Sequence, residues 1–190
     1  MIRGIFGPGT LVLGGGAALL IAFLAVGFFL PGSWAATAEA TIPVSADSLG
    51  PYLDSPEGWQ AWTPWPDSLS PGPGPRRGAG SSMTWSDPDL GSGIFRIEAV
   101  NADGGVRYSV EVEGVGGDVM RTDGSLFLTP RGDSTHVVWR EEGDLGANPL
   151  MGFWALSMER AQGTEMRKSL DRLAEVAAGG QVTSVPEPTR

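Results

Sequence analysis

One carboxylate stands out for chemistry. Thr135–Glu142 reads THVVWREE, and strand side chains alternate between faces. Thr135, Val137, Trp139 and Glu141 then share one side, and His136, Val138, Arg140 and Glu142 the other. The first set is the more apolar and is expected to face inward, with Glu141 near the end of the row. A carboxyl beside an apolar pocket has a raised pKa and can act as a general acid or base. The competing reading leaves Glu141 at a rim, solvated or paired with an arginine. Tyr108 lies on the core side of Val106–Glu113 and can offer a hydroxyl to a ligand or to a protein partner. Trp59, Trp62 and Trp65 recur at threes. They suit either an apolar ligand or lipid, or an aromatic plug at one end of the core.

Other chemistry is argued against. His136 is the single histidine, and the alternation turns it toward solvent, where no triad or histidine base can use it. There is no cysteine, so thiolate metal sites, disulfides and cysteine nucleophiles are excluded. No nucleophile elbow, zinc-protease motif or phosphate-binding loop is present. Gly91-Ser92-Gly93 and Gly114–Gly117 lack a strand-to-helix context and read as turns. No cofactor or metal is expected. The 22 acidic residues exceed the 13 basic ones, which argues against nucleic acid as a partner.

These residues need elements to position them. The alternation and turn chemistry predict strands at Thr37–Val44, Ser82–Ser86, Gly93–Val100, Val106–Glu113, Ser125–Pro130 and Thr135–Glu142. Ser45 or Asp47 caps a short helix through Leu53, and Ser55-Pro56-Glu57 starts another. Residues 66–81 form an exposed Pro/Gly flap. Asn148–Ala178 is a long helix, with apolar positions from Leu150, Phe153, Trp154 and Met158 to Met166, Leu170, Leu173 and Val176. Gly163 marks a kink or a close packing point within it. The economical packing is α+β, with a curved antiparallel sheet wrapped around the long helix and a cavity between them.

Positions 4–38 carry no charge. Leu11–Leu30 is apolar throughout, and twenty helical residues rise about 30 Å, the depth of a bilayer's hydrocarbon. Residues 1–36 are therefore expected to be a transmembrane anchor, with Trp34 at the interface. Arg3 on the short side places the N-terminus in the cytoplasm and the domain outside a cell membrane crossed once. The alternative is a signal segment cut at Ala36-Thr37-Ala38. Residues 37–178 form the domain, and 179–190 are expected to be a disordered tail.

Pro51–Trp59 (PYLDSPEGW) with Trp62-Thr63-Pro64-Trp65 resembles the opening of the SRPBCC, or START-like, superfamily, nearest its polyketide cyclase/dehydrase-like branch. Gly78–Trp85 resembles that branch's glycine turn and strand. Leu126–Pro130 followed by Thr135–Trp139 resembles its last two strands, and Asp144–Leu150 the loop into its final helix. The resemblance spans residues 38–177 and implies a helix-grip fold with an apolar cavity. It also favours an N-terminal membrane segment.

The cavity candidates are Trp62, Trp65, Met83, Trp85, Tyr108, Leu128, Trp139, Trp154 and Met158, which line it or fill it. The leading expectation is binding of a small hydrophobic or amphipathic ligand, a lipid or a polyketide-like aromatic. The alternatives are a cyclase or dehydratase using Glu141, or an interaction module with a filled core. Fold likeness alone does not select among them.

Overall fold

The computed structural model describes residues 8–88, 91–113, 119–145 and 149–179, with the side chains of 8–14 and 149 outside the described set. Helix α1 spans Pro8–Phe29. Strand β1 follows at Ser33–Ile42, then helices α2 (Ala46–Leu53) and α3 (Pro56–Gln60). Strands β2 (Ser70–Pro71), β3 (Ser82–Asp87), β4 (Gly91–Val100), β5 (Val106–Glu113), β6 (Val119–Arg131) and β7 (Ser134–Asp144) lead to helix α4, Pro149–Ala177.

The strands form one sheet in the order β1-β7-β6-β5-β4-β3-β2, every pair antiparallel. The first strand closes on the last, from Ser33 opposite Asp144 to Ile42 opposite Thr135. The register shifts between Ile97 and Ala99, a bulge that adds local bend and twist. Met166, Leu170, Leu173 and Val176 of α4 are buried at spacings of four, three and three, one helix face in the core. This α+β arrangement is the expected helix-grip.

The short helices close one end of the core. Ser55 caps α3 by accepting from the Gly58 N–H at 3.1 Å, and Pro56 takes the first helical position. Leu49 and Leu53 of α2 are buried, and the Tyr52 hydroxyl donates to the Val176 carbonyl at 3.0 Å. That bond fastens α2 to the end of α4. Gly179 has φ +83°, the left-handed conformation that stops a helix.

Several expectations change. β1 begins at Ser33, and Trp34 is 6% exposed in the core rather than at a membrane interface. The Ala36–Ala38 cleavage pattern is part of this paired strand. The flap is exposed but tied down, because Ser70-Pro71 adds a short edge strand, where proline is tolerated. Ser82 Oγ also donates to the Pro73 carbonyl at 2.6 Å. The first half of α4 does not share one buried face with the second. Phe153 stacks on Phe23 of α1, with ring centroids 4.3 Å apart, and Trp154 is 61% exposed.

α1 exposes Leu19, Leu20, Ile21, Phe28 and Phe29. Among the described residues no helix is long and apolar enough to cross a membrane, so a membrane role for this segment rests on the sequence. The Gly114–Gly117 turn, the Asn148 cap and the 180–190 tail lie outside the described residues.

Candidate functional site

The site lies on the sheet's inner face, under α4. β7 buries Thr135, Val137, Trp139 and Glu141 in strict alternation. Glu141 is 6% exposed, the last buried residue of the row rather than a solvated one at a rim. β5 brings Tyr108 to the same face at 2% exposure. Tyr108 and Glu141 stand in one transverse row, with Gly124 of β6 between them. A Cβ at Gly124 would overlap the Tyr108 ring. The missing side chain lets the tyrosine lie across β6 and donate its hydroxyl hydrogen to Glu141 Oε1.

Two further donors complete the cluster. Trp139 Nε1 donates to the Tyr108 oxygen at 2.7 Å. Gln162, reaching from α4, donates Nε2–H to Glu141 Oε2. Trp139 thus orients Tyr108, and Tyr108 and Gln162 hold both carboxyl oxygens. Among the described residues no buried side-chain nitrogen or oxygen lacks a partner, and no cation pairs with Glu141.

Burial raises the Glu141 pKa above its ordinary value, and the bonds from Tyr108 and Gln162 only partly oppose this. Tyr108 is pushed well up, first by burial and then by the neighbouring carboxylate. At the mouth Glu165 is held low by Arg172 and Lys168, each at 3.2 Å, against the opposing effect of burial.

A cavity of about 220 Å³ opens beside this cluster. Phe95, Tyr108, Trp139 and Glu141 wall the sheet side, Trp65 reaches in from the segment after α3, and Gln162, Glu165 and Met166 line the α4 side. The structure therefore brings Trp65, Tyr108, Trp139 and Glu141 of the expected set together. Trp62 is fully buried, and its indole N–H donates to the Tyr52 carbonyl at 3.0 Å. Trp59 likewise donates to the Leu53 carbonyl at 2.7 Å. Trp62 is core, whereas Trp59, buried as deeply, also lines the cavity, and both meet Trp139 edge-on. Trp85 packs on Trp65 at 5.9 Å, behind the cavity wall. Leu128 is buried in the core, and Met83 borders a separate groove under the flap.

Trp154 and Met158 are absent from the lining of this cavity. Met158 is partly buried against the core, and Trp154 points outward. Sequence reasoning missed Gly124, because Ser125–Pro130 cuts the strand short, and Gln162, a polar side chain among exposed neighbours. His136 faces away from the cavity, half-buried, with Nε2 3.6 Å from Glu39. No group of three metal-ligating side chains occurs among the described residues.

Comparison with known proteins agrees with this geometry. The search of curated proteins finds no match. Among solved structures, Mll3558 from Rhizobium loti is 18% identical with a TM-score of 0.54, covering 75% of this chain and 95% of that one. A point mutant of norcoclaurine synthase from Thalictrum flavum is 13% identical with a TM-score of 0.58, covering 77% and 95%. The protein jhp0584 from Helicobacter pylori is 10% identical with a TM-score of 0.58, covering 75% and 87%. These likenesses establish the fold. The family model described as "Polyketide cyclase / dehydrase and lipid transport" matches residues 33–178, the whole sheet and its gripping helix, and the chain belongs to that family.

Proposed function

We propose that the domain binds a small, flat, largely apolar ligand with one polar group, held in the cavity between sheet and α4. The observation that carries this reading is a buried carboxyl at the wall of an aromatic cavity, with no cation to neutralise it. A structural glutamate at 6% exposure is costly to bury. A ligand hydroxyl or amine beside Glu141 would add a further partner for its oxygens. Trp65, Phe95 and Trp139 supply flat apolar surface. The volume, about 220 Å³, is below the roughly 300–1,000 Å³ of drug-sized sites, so the ligand is correspondingly small.

A second reading rests on the same carboxyl. With its pKa raised, Glu141 exchanges a proton with a bound substrate more readily, and the chain is then a cyclase or dehydratase in which Glu141 is the acid or base. Glu141→Gln separates the two. Loss of turnover with affinity retained marks an enzyme.

The N-terminal segment belongs to the same proposal. Residues 11–30 anchor the chain in the cell membrane, with the domain on the extracytoplasmic side. Support comes from the uncharged window, the helical conformation of α1 and the apolar side chains it exposes. A cut at Ala36–Ala38 would sever β1, which favours an uncleaved anchor.

Native mass spectrometry of the full-length protein, purified from a cellular extract in neutral detergent, tests the binding reading. A co-purifying small molecule that is lost in Trp65→Ala supports it. An empty wild-type protein, unresponsive to a panel of small aromatic and amphipathic compounds, overturns it.

A further inference from the structure

A second concavity lies outside the grip, between β1 and the middle of α4. It measures about 760 Å³ and shares no lining residue with the inner cavity. Leu156, Arg160, Gly163 and Arg167 line it at spacings of four, three and four, one stripe of a helix. Gly163 leaves the floor open. A Cβ there would approach nothing closer than 3.9 Å. Arg167 reaches back one turn, placing its Nη1 at that distance from the vacant position and its Nη2 3.4 Å from Thr164 Oγ1.

Arg77 and Arg121, elsewhere on the domain, take carboxylate partners at 2.8 Å. Among the described residues, neither Arg160 nor Arg167 does. Glu159 also lines the groove, so two guanidiniums and one carboxylate leave it with a net single positive charge in an acidic chain.

The groove's other end is apolar. Phe153 and Leu156 line it, and Phe153 stacks on Phe23 of α1. Leu156 is 56% exposed, and the Phe23–Phe153 stack joins this end of the groove to α1, which exposes apolar side chains of its own. Four residues separate Leu156 from Arg160, a rise of about 6 Å. Apolar surface thus gives way to cationic surface within one helical turn. A phospholipid changes in the same order, from acyl chain to phosphate.

We propose that this groove binds one anionic phospholipid, with its phosphate on Arg160 and Arg167 and its acyl chains along Phe153 and Leu156 onto α1. A guanidinium pair suits a phosphate better than a zwitterionic surface, where a choline would meet the same arginines. The site is separate from the cavity, so it stands or falls independently of the ligand proposed there.

The test uses the full chain in a neutral maltoside detergent, titrated with dioctanoyl phosphatidylglycerol, dioctanoyl phosphatidylcholine or inorganic phosphate, and read by native mass spectrometry. Saturable retention of phosphatidylglycerol is expected, at least tenfold tighter than phosphatidylcholine. The double variant Arg160→Gln/Arg167→Gln should lose that preference. Gly163→Leu should lose binding with both arginines present, because its side chain fills the floor. Thermal unfolding and circular dichroism verify that each variant folds. Equal retention of the two lipids, or undiminished phosphatidylglycerol binding in the double variant, overturns the proposal. So does inorganic phosphate binding as tightly as the lipid, which would mark a free-anion site. Dimerisation of the wild type that the double variant abolishes, without lipid binding, would assign the groove to a second copy instead and also overturns it.

Discussion

Tyr108 and Glu141 bond to each other from strands that are not neighbours, and Gly124 on the strand between them makes the contact possible. Adjacent strands lie about 4.8 Å apart, so the two backbones are separated by about 10 Å. A phenol spans that gap only if nothing stands in the middle. Gly124→Ala is therefore expected to destabilise the fold by about 1–3 kcal/mol, as overpacking does. It should also displace the Tyr108 hydroxyl from Glu141. Chemical denaturation measures the first effect, and tyrosine fluorescence or NMR of the hydroxyl proton the second.

Removing the hydroxyl alone has a different signature. Tyr108→Phe keeps the ring's packing against Trp59 and Phe95 but strips the acceptor from Trp139 Nε1 and a donor from Glu141. Two buried polar groups each lose a partner, at about 1–3 kcal/mol apiece. A smaller loss than Gly124→Ala causes would mean that water enters the cavity and replaces the hydroxyl.

Glu141 also sets a pH dependence. Its pKa in the folded state is raised above the unfolded value of about 4.5. The folded protein then binds more protons than the unfolded chain between the two values. Stability from this group is full below the unfolded pKa and is lost as pH rises through the folded one. Glu165 has the opposite sign, because its pKa is lowered and its contribution fades as pH falls. The difference between wild type and Glu141→Gln isolates the first effect. Melting temperature measured from pH 4 to 8 should fall less steeply in Glu141→Gln than in wild type. Parallel profiles would show that Glu141 titrates normally.

The clasp at the far end of α4 gives a local prediction. Tyr52→Phe removes the hydroxyl bond to the Val176 carbonyl and leaves the ring in place. A cost of about 0.5–1.5 kcal/mol is expected. Hydrogen exchange should speed up at residues 173–178 while β5 to β7 stay protected. Uniform acceleration would show that the bond supports the whole fold.

Legibility from sequence followed physical periodicity. The β7 alternation placed Thr135, Val137, Trp139 and Glu141 on one face, and the structure has that face inward. The 3–4 spacing of Met166, Leu170 and Leu173 located the gripping half of α4. Periodicity misled at Trp154, because the same spacing continues where α4 leaves the sheet and meets α1. A helix records which of its faces is apolar, not what covers that face. Gly124 was invisible for another reason. A glycine inside a strand carries no pattern, and its role appears only when β5 and β7 are aligned on either side. The start of β1 was hidden by apolar composition, since Ser33-Trp34-Ala35-Ala36 reads equally as the end of a membrane segment or the start of a buried strand.

Only three residues, Leu30 to Gly32, separate α1 from β1. Gly32 is held by the Leu145 N–H at 3.0 Å, and Gly152 of α4 sits against Leu30. Three extended residues reach about 10 Å at most. With α1 in a bilayer, this domain has no leash. It cannot swing out to meet a distant partner or ferry cargo across a compartment. On the proposed anchoring, the inner cavity would stay at a fixed height and orientation over the membrane.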